Sequence, residues 1–263
     1  MIFNDYLNIV GLKKGLNIIV HSGFSKIKNA FPDLTPEESI SALKDIVTEE
    51  GSIIFPAFTY CFKKSSGEYD IFDSLNSKSK VGLLSERFRM SDGVIRTSSP
   101  THSFALWGKI KNEIDETNSP ESPLGKGSVM NWLNTHANSY VLMLGPEFSS
   151  LTFGHYLEIL TKVPWYNYSP WDYMNVLSIG VSTNGEQKLK EIPGCAKSFV
   201  NFEKYLLDKN LIQKSTYENL SAYLISIKLL YDEGLVYFSN YYENLLCGKN
   251  TCPACDSRRK KFL

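Results

Sequence analysis

The chain carries no net charge and no long apolar run. Its 263 residues include 28 Lys and Arg against 28 Asp and Glu, so neither a nucleic-acid tract nor a polybasic membrane patch is expected. No stretch reaches the roughly 20 apolar residues that a membrane span needs, and no basic segment precedes an apolar run at the N-terminus. The one basic run, Arg258 to Lys261, is expected to be a solvated tail. These absences favour a cytoplasmic protein.

Cysteine is also scarce, and five residues in a cytoplasmic chain indicate thiols or a metal site rather than disulfides. Cys247, Cys252 and Cys255 form a Cys-x4-Cys-x2-Cys pattern, whose spacing suits a tetrahedral zinc site. Cys195, which follows the flexible Gly194, is the expected fourth ligand. A plant-type iron–sulfur pattern and a set of unligated thiols are the alternatives. A metal here would be structural and would pin the C-terminal tail to the loop around Cys195.

Strand and helix patterns alternate in the first half of the chain. A β-rich run over 17–20 is followed by a helix start in which Thr35 is the N-cap, Pro36 lies in the first turn and Glu38 completes a capping box. A second strand over 52–58 follows, and a strand, helix and strand over this length predict an α/β crossover. We therefore expect an α/β fold.

Patterns further along the chain complete the predicted domain. They predict a long surface loop over 65–80, helices over 82–90 and 152–160, a strand over 140–144 and a long helical region over 199–230. The sequence thus predicts an α/β sandwich with a helical C-terminal portion. It is expected to be a single domain over 1–263, whose part over 199–263 is helical and contains the cysteine cluster.

Two polar segments are candidates for binding a ligand. After the first strand, Ser22, Gly23, Phe24 and Ser25 offer backbone N–H groups and hydroxyls that can cradle a pyrophosphate, although an ordinary turn has the same composition. The segment over 96–104 holds one cation, one imidazole and five hydroxyls. Loops this rich in hydrogen-bonding groups line sites or form ordinary turns.

A third segment contains a histidine and a glutamate three residues apart. On a helix, His155 and Glu158 share a face. The carboxylate could orient the imidazole, whose other nitrogen would accept a proton from an attacking amine, since an unperturbed histidine has a pKa of about 6.5. The same spacing also suits a metal site or a purely structural helix pair. The sequence offers His155 as a general base without deciding between these alternatives.

Ordered blocks of this sequence resemble the aminoglycoside 3-N-acetyltransferase family, also called the antibiotic N-acetyltransferase family. The early block Val-His-Ser-Gly-Phe-Ser, the Leu-Leu-Ser-Glu-Arg-Phe-Arg block and the Thr-Phe-Gly-His-Tyr-Leu-Glu block each resemble a family motif. The matching blocks occur in the family's order over roughly positions 15 to 200, and their joint order gives the resemblance its weight. The blocks lie at 20–25, 50–56, 81–89, 96–108, 122–123, 144–158 and 162–166.

The resemblance implies a fold and an activity. The fold would be the mixed-sheet α/β sandwich of the antibiotic N-acetyltransferase type, and the activity would be transfer of an acetyl group from acetyl-CoA to an amine. By resemblance, His155 is the catalytic histidine, with Glu158 as the candidate to orient it. The loop from Ser22 to Ser25 and the residues Arg96, Thr97 and Ser98 would hold the coenzyme A phosphates and pantetheine.

Departures from the family pattern concern the acceptor. The family often has histidine where this chain has Ser99, and the imidazole of the block is His102, which the resemblance places at the substrate together with Glu191. Glu191 is the one acidic residue in a segment where antibiotic-modifying members have several. Because aminoglycosides are polycations, a thinned acidic loop favours a less cationic acceptor, such as a mono-amino sugar, which could be nucleotide-linked.

Other functions and mechanisms are open at the level of sequence. An aminoglycoside 3-N-acetyltransferase that confers antibiotic resistance is the nearest alternative. A Ser/His hydrolase would lack its Gly-x-Ser-x-Gly elbow, and a non-catalytic metal-binding protein would rest on the cysteines alone. Cys61 raises a covalent route through a thiol. The sequence does not determine the oligomeric state, and a homo-oligomer is compatible with it.

Overall fold

Three strands without a polar face form the centre of the main sheet. The computed structural model describes residues 1–114, 119–167, 175–190 and 193–263. Strands β1 (Asn17–Ser22), β2 (Ser52–Pro56) and β6 (Ser139–Leu144) are buried almost throughout. Strand β1 lies between the other two and pairs with both in parallel. Parallel strands are covered on both faces, which explains their continuous runs of Ile, Val, Leu and Phe.

Antiparallel strands extend this parallel centre on both sides, so the sheet is mixed, as predicted. The order among the described residues is β4-β5-β2-β1-β6-β10-β9, and a smaller antiparallel sheet has the order β3-β7-β8. The remaining strands are β3 (Phe62–Lys64), β4 (Ile95–Arg96), β5 (Phe104–Gly108), β7 (Val176–Ser182), β8 (Gly185–Lys188), β9 (Ser215–Tyr217) and β10 (Leu220–Ser226).

Helices cover both faces of the main sheet. Ile18 and Val20 of β1 pack into a core with helices α1 to α4, while Ile19 packs into a second core with the later helices. This alternation is the two-sided packing of an α/β sandwich. The helices are α1 (Phe3–Val10), α2 (Phe24–Ala30), α3 (Pro36–Val47), α4 (Leu83–Arg89), α5 (Ile110–Ile114), α6 (Val129–Thr135), α7 (Thr152–Thr161), α8 (Val200–Asp208), α9 (Ile227–Asn240) and α10 (Pro253–Phe262).

Local predictions for the first part of the chain are confirmed. Thr35 accepts a hydrogen bond from the backbone of Glu38, whose carboxylate in turn accepts one from the Thr35 backbone, so the capping box at the start of α3 is complete. The segment over 65–80 lies mostly on the surface, with Phe72 as its buried anchor. In the part of the chain that the structure describes, no helix has the length and apolar character needed to cross a bilayer.

Two predictions for the C-terminal part are wrong. The region over 199–230 is not one long helical region, because the hairpin of β9 and β10 interrupts it after α8. Strand β10 pairs with β6 along its length, and these ladder bonds and the burial of Leu220 and Ala222 favour the extended chain. The basic run is not a solvated tail, since it lies in α10 and Arg258 is only 1% exposed.

The packing of α7 generates a prediction about Gly154. A Cβ atom at this position would lie 2.4 Å from Cε2 of the buried ring of Phe199. We expect Gly154→Ala to lower the free energy of unfolding by about 1–3 kcal/mol, because overpacking outweighs alanine's better helix propensity of about 0.5–1 kcal/mol. Chemical denaturation measures the change. The exposed Ser41→Ala on α3 is the control for propensity alone, and a stabilised Gly154→Ala protein would contradict the prediction.

Candidate active site

A cavity of about 270 Å³ opens where the three parallel strands end. Ser22 at the end of β1, Pro56 at the end of β2 and Pro146 just beyond β6 form part of its wall. This is the edge at which open α/β sheets bind ligands, because the loops there diverge and leave a crevice. We call this space the His155 cavity, because His155 of α7 forms the wall opposite the strands.

His155 and Glu158 are brought together as the sequence predicted. Both side chains lie on one face of α7, with His155 Nδ1 2.7 Å from Glu158 Oε2. An ionised carboxylate can only accept a hydrogen bond, so Nδ1 carries the proton of this bond, and Nε2 is the nitrogen that can accept a proton when the ring is neutral. The ring of Phe199 packs edge-on against the imidazole, with 5.1 Å between the ring centroids. The arrangement leaves a proton-accepting nitrogen in a fixed orientation beside the cavity.

Glu158 is itself buried and has three partners. Besides His155, it accepts a hydrogen bond from Trp165 Nε1 at 3.0 Å on Oε1, and Arg258 Nη1 lies 3.7 Å from the same oxygen. Burial tends to raise the pKa of this carboxyl, but the charge of Arg258 and the hydrogen bonds from His155 and Trp165 outweigh it and hold the pKa below its ordinary value. Glu158 is therefore a carboxylate at neutral pH.

Two further histidines lie near the cavity, and both are neutral. Burial lowers the pKa of His21 and of His102 to about 3, because desolvation disfavours the charged ring. His21 contributes directly to the cavity wall, and its buried Nε2 has no hydrogen-bond partner in the described part of the chain. His102 packs against the rings of Phe58 and Tyr60, and its Nδ1 is 2.9 Å from Thr101 Oγ1. His102 thus lies behind the wall that Phe58 and Tyr60 form.

The loop predicted to cradle phosphates begins at the cavity. Ser22 lines the cavity, whereas Gly23, Phe24 and Ser25 do not, and helix α2 begins at Phe24. The backbone N–H of Gly23 donates to the carbonyl of Leu144 at 2.9 Å, so it is occupied within the fold. Ser149, Ser150 and Thr152 add further hydroxyl-bearing residues to the lining.

The segment that begins at Arg96 has a different arrangement. The guanidinium of Arg96 donates to the carbonyls of Ala57 and Ser77 and to the hydroxyl of Ser103. Thr97 Oγ1 accepts a hydrogen bond from the backbone of Phe104 at 2.7 Å. Neither residue lines the His155 cavity. Ser98 does not line it either, and its side chain is exposed to solvent. Glu191 lies outside the described residues.

The four cysteines that the sequence predicted as metal ligands form one cluster. The sulfur atoms of Cys195, Cys247, Cys252 and Cys255 all lie within 4.8 Å of one another. Cys195 Sγ is 3.6 Å from Cys247 Sγ and accepts a hydrogen bond from the backbone of Lys197 at 3.4 Å. The residues on either side of Cys195 line the His155 cavity, so the cluster borders the site.

The sequence-based analysis missed Arg258 and the role of His21 in the wall. Arg258 follows Cys255 by one turn of α10, so the two share a buried helix face. That spacing was the available signal, since a residue one turn from a predicted buried ligand is itself expected to point inwards. No such signal marks His21, which becomes part of the wall because β1 ends at the cavity.

A family model and two curated relatives match this sequence. The sequence matches the family model for aminoglycoside 3-N-acetyltransferase over residues 19–239. The SPbeta prophage-derived aminoglycoside N(3')-acetyltransferase-like protein YokD of Bacillus subtilis (strain 168) is 32% identical over 178 residues, 60% of this chain and 63% of that protein. Aminoglycoside N(3)-acetyltransferase VII of Streptomyces paromomycinus is 26% identical over 179 residues, 60% of this chain and 59% of that protein. The matches thus span less than two thirds of both relatives.

Solved structures share the whole fold. The apoenzyme of the aminoglycoside acetyltransferase AAC(3)-IVa superposes with a TM-score of 0.79 at 21% identity, over 98% of this chain and 96% of that one. The crystal structure of YokD from Bacillus subtilis superposes with a TM-score of 0.76 at 24% identity, over 91% and 92%. At these identities the likeness concerns the fold, while the family model covers most of the sequence. The chain therefore belongs to the aminoglycoside 3-N-acetyltransferase family.

Proposed function

We propose that the protein is a coenzyme A-dependent N-acyltransferase, with acetyl-CoA as donor, that acylates a primary amine of an amino sugar. The observation that carries the proposal is the pair of His155 and Glu158 at the wall of a cavity formed by the carboxyl ends of parallel strands. A solved relative, AAC-IIIb, is a binary complex with CoASH, which supports the choice of donor.

His155 acts as the general base in the proposed reaction. The acceptor nitrogen attacks the thioester carbonyl and forms the new carbon–nitrogen bond of a tetrahedral intermediate, while its proton passes to His155 Nε2. Collapse of the intermediate breaks the carbon–sulfur bond, and the coenzyme A thiolate takes the proton from the imidazolium. Glu158, which accepts from Nδ1, orients the ring and stabilises its positive charge. A neutral ring in this orientation is what the first proton transfer requires.

Hydroxyl and amide donors complete the proposed site. The oxyanion needs a preorganised donor, and the serines at 22, 149 and 150 border the cavity. Arg96, Thr97 and Ser98 were the sequence-based candidates for contacts with coenzyme A. We now assign Arg96 and Thr97 to the support of the site, because their polar atoms engage neighbouring protein segments. The loop from Ser22 to Ser25 remains the proposed contact for coenzyme A.

The charge of the cavity favours a weakly cationic acceptor. None of its described lining residues is Asp or Glu. A neighbouring groove, which shares Tyr60 with the cavity, pairs Lys64 with Glu68 and Lys80 with Asp70 and so adds no net charge. AAC(3)-IVa has been solved with a gentamicin and with apramycin, both polycations, for which carboxylate-lined sites are expected. A mono-amino sugar, free or nucleotide-linked, fits the described walls better, with Tyr60 available for stacking.

We also propose that the cysteine cluster binds a structural zinc ion. A tetrahedral site with Zn–S distances of about 2.3 Å places the sulfurs about 3.8 Å apart, close to the separations seen here. Sulfurs this close surround one ion and leave no room for a cluster of iron and sulfide. The N–H group of Lys197 that points at Cys195 Sγ is the outer contact that stabilises a metal-bound thiolate.

Replacement of the histidine tests the mechanism. We expect His155→Ala to lower kcat by roughly 10²–10⁴-fold while acetyl-CoA still binds, because the general base is lost and the donor site is kept. Turnover assays and calorimetric titration with acetyl-CoA and free coenzyme A measure the two effects. His136→Ala, away from the cavity on the turn after α6, is the control. Near-normal turnover in folded His155→Ala would contradict the base role. A wild-type protein that binds no acetyl-CoA would favour a non-catalytic metal-binding protein.

An acceptor panel tests the choice of substrate. We expect single-amine sugars, free and nucleotide-linked, to give higher kcat/KM than gentamicin or apramycin, because the described cavity wall has no carboxylate to bind further ammonium groups. Steady-state rates with saturating acetyl-CoA, repeated at low and high salt, provide the comparison. A polycationic antibiotic that is much the best acceptor would overturn the amino-sugar assignment and leave the acyltransferase assignment intact.

Metal analysis tests the zinc site. We expect the purified protein to contain about one zinc ion per chain and Cys252→Ser to lose it, with a lower melting temperature, since a ligand at 100 times its Kd stabilises by about 2.7 kcal/mol. Cys61→Ser is the control, because Cys61 lies outside the cluster. Metal-free wild-type protein whose melting temperature is unchanged by added zinc would contradict the site.

A further inference from the structure

Arg258 is a buried cation that the proposed mechanism does not yet use. Its side chain is 1% exposed, and Nε and Nη1 make no hydrogen bond within the described residues. The guanidinium lies 5.5 Å from the centroid of the Trp165 ring. Burial of a cation with two unpaired nitrogens is costly, so a charge of opposite sign is expected beside it. That charge is Glu158, whose Oε1 lies 3.7 Å from Arg258 Nη1.

Glu158 needs a compensating cation in turn. Its two oxygens are already hydrogen-bonded, Oε2 to His155 and Oε1 to Trp165, but the indole is a neutral donor, and so is the imidazole in the form that can act as a base. A fully buried carboxylate with neutral partners alone would tend to take up a proton. Protonated Glu158 would be a donor as well as an acceptor and would no longer fix Nδ1 of His155 as the protonated nitrogen. The charge of Arg258 is therefore the feature that keeps the pair in its working form.

The segments that contain the four cysteines contact Arg258 or its helix. Helix α10 begins next to Cys252, and Cys255 precedes Arg258 by one turn. The backbone of Gly194, beside Cys195, lies against the guanidinium so closely that a Cβ atom there would be 1.9 Å from Nη2. On the same helix, Arg259 donates to the carbonyl of Cys247 at 2.6 Å. Segments that carry the cysteines thus surround Arg258.

We propose that Arg258 is a positioning residue for acyl transfer, which keeps Glu158 charged and directed at His155, and that the cysteine cluster holds Arg258 in place. The proposal rests on the general-base role of His155. Acyl transfer at His155 then depends on an intact cysteine cluster, although the cluster takes no part in the reaction.

The proposal has a direct consequence for pH dependence. The groups that face Glu158 are His155 on its own helix, Trp165 and Tyr166 after that helix, and Arg258 on α10. Arg258 is the fixed positive charge among them. Removal of this charge raises the proton affinity of the pair formed by Glu158 and His155. The active form of the pair has Glu158 ionised and His155 neutral. The acid limb of kcat/KM therefore moves to higher pH when the cation is lost.

The experiment compares pH profiles of kcat/KM for three variants of the full-length protein. In Arg258→Met we expect the acid limb to move up by roughly 1–3 pH units, the size of shift that a nearby charge produces. Arg258→Lys keeps the charge and is expected to keep the limb near its wild-type position. Lys260→Met removes the same charge from an exposed position of α10 and should leave the profile unchanged. A folded Arg258→Met protein with the wild-type profile would overturn the proposal.

A stability cycle covers the case in which Arg258→Met does not fold. Removal of one partner leaves an uncompensated buried charge, whereas removal of both does not. The double variant Glu158→Gln with Arg258→Met is therefore expected to be more stable than Arg258→Met alone. Additive effects of the two substitutions would contradict the coupling. This cycle needs no activity, so it distinguishes a failure of the inference from a failure of the acyltransferase assignment.

A cysteine variant tests the part assigned to the cluster. Cys252→Ser is expected to shift the acid limb in the same direction as Arg258→Met, because α10 loses its attachment. It should have no further effect when combined with Arg258→Met. An acid limb at the wild-type position in folded Cys252→Ser would overturn the role of the cluster.

Discussion

The buried carboxylate of Glu158 is the group on which the arrangement of the candidate site depends. Its charge fixes the protonated nitrogen of His155, and Trp165 and Arg258 stabilise that charge on the opposite side. A buried carboxylate is costly unless it is hydrogen-bonded and compensated. Its partners come from its own helix, from the loop after that helix and from the last helix of the chain. One charge thus connects segments that are distant in sequence.

The scaffold explains why this group can be buried beside an open cavity. The parallel strands β1, β2 and β6 end at one edge, and the loops that leave them diverge. Helix α7 crosses this edge close to Phe199, with Gly154 at the contact, and so presents His155 to the cavity and Glu158 to the interior. Two layers of helices keep the sheet dry on both faces. The imidazole of His155 is therefore held by rigid elements rather than by loops.

The residues of the cavity wall are a separate matter from the fold that the chain shares with its family. The fold and the ordered blocks over residues 19–239 are those of the family. The described wall contains no Asp, Glu, Lys or Arg, its His21 is uncharged, and the nearby groove balances its lysines with acidic residues. Selectivity for an acceptor depends on the charges of the residues that line a site, because the hydrophobic sheet and its helices do not distinguish one ligand from another.

The sequence by itself determined the features that rest on local patterns. The capping box at Thr35, the apolar parallel strands, the one-turn spacing of His155 and Glu158 and the ordered blocks could all be read along the chain. The spacing of three cysteines also predicted a cluster, and the structure brings Cys195 to it from 52 positions before Cys247. These features were predictable because neighbouring residues specify them.

Tertiary structure alone decided the rest. The segment 220–226 fits a helical pattern as well as a strand, and only pairing with β6 made it a strand. Arg96, a charged residue in a motif-like loop, donates hydrogen bonds to backbone carbonyls of the fold and does not line the cavity. Arg258, which the sequence placed in a solvated tail, became the buried partner of Glu158, 100 positions earlier in the chain. The physical reason is common to all three, since the free energy of these contacts depends on groups that come together only when the whole chain has folded.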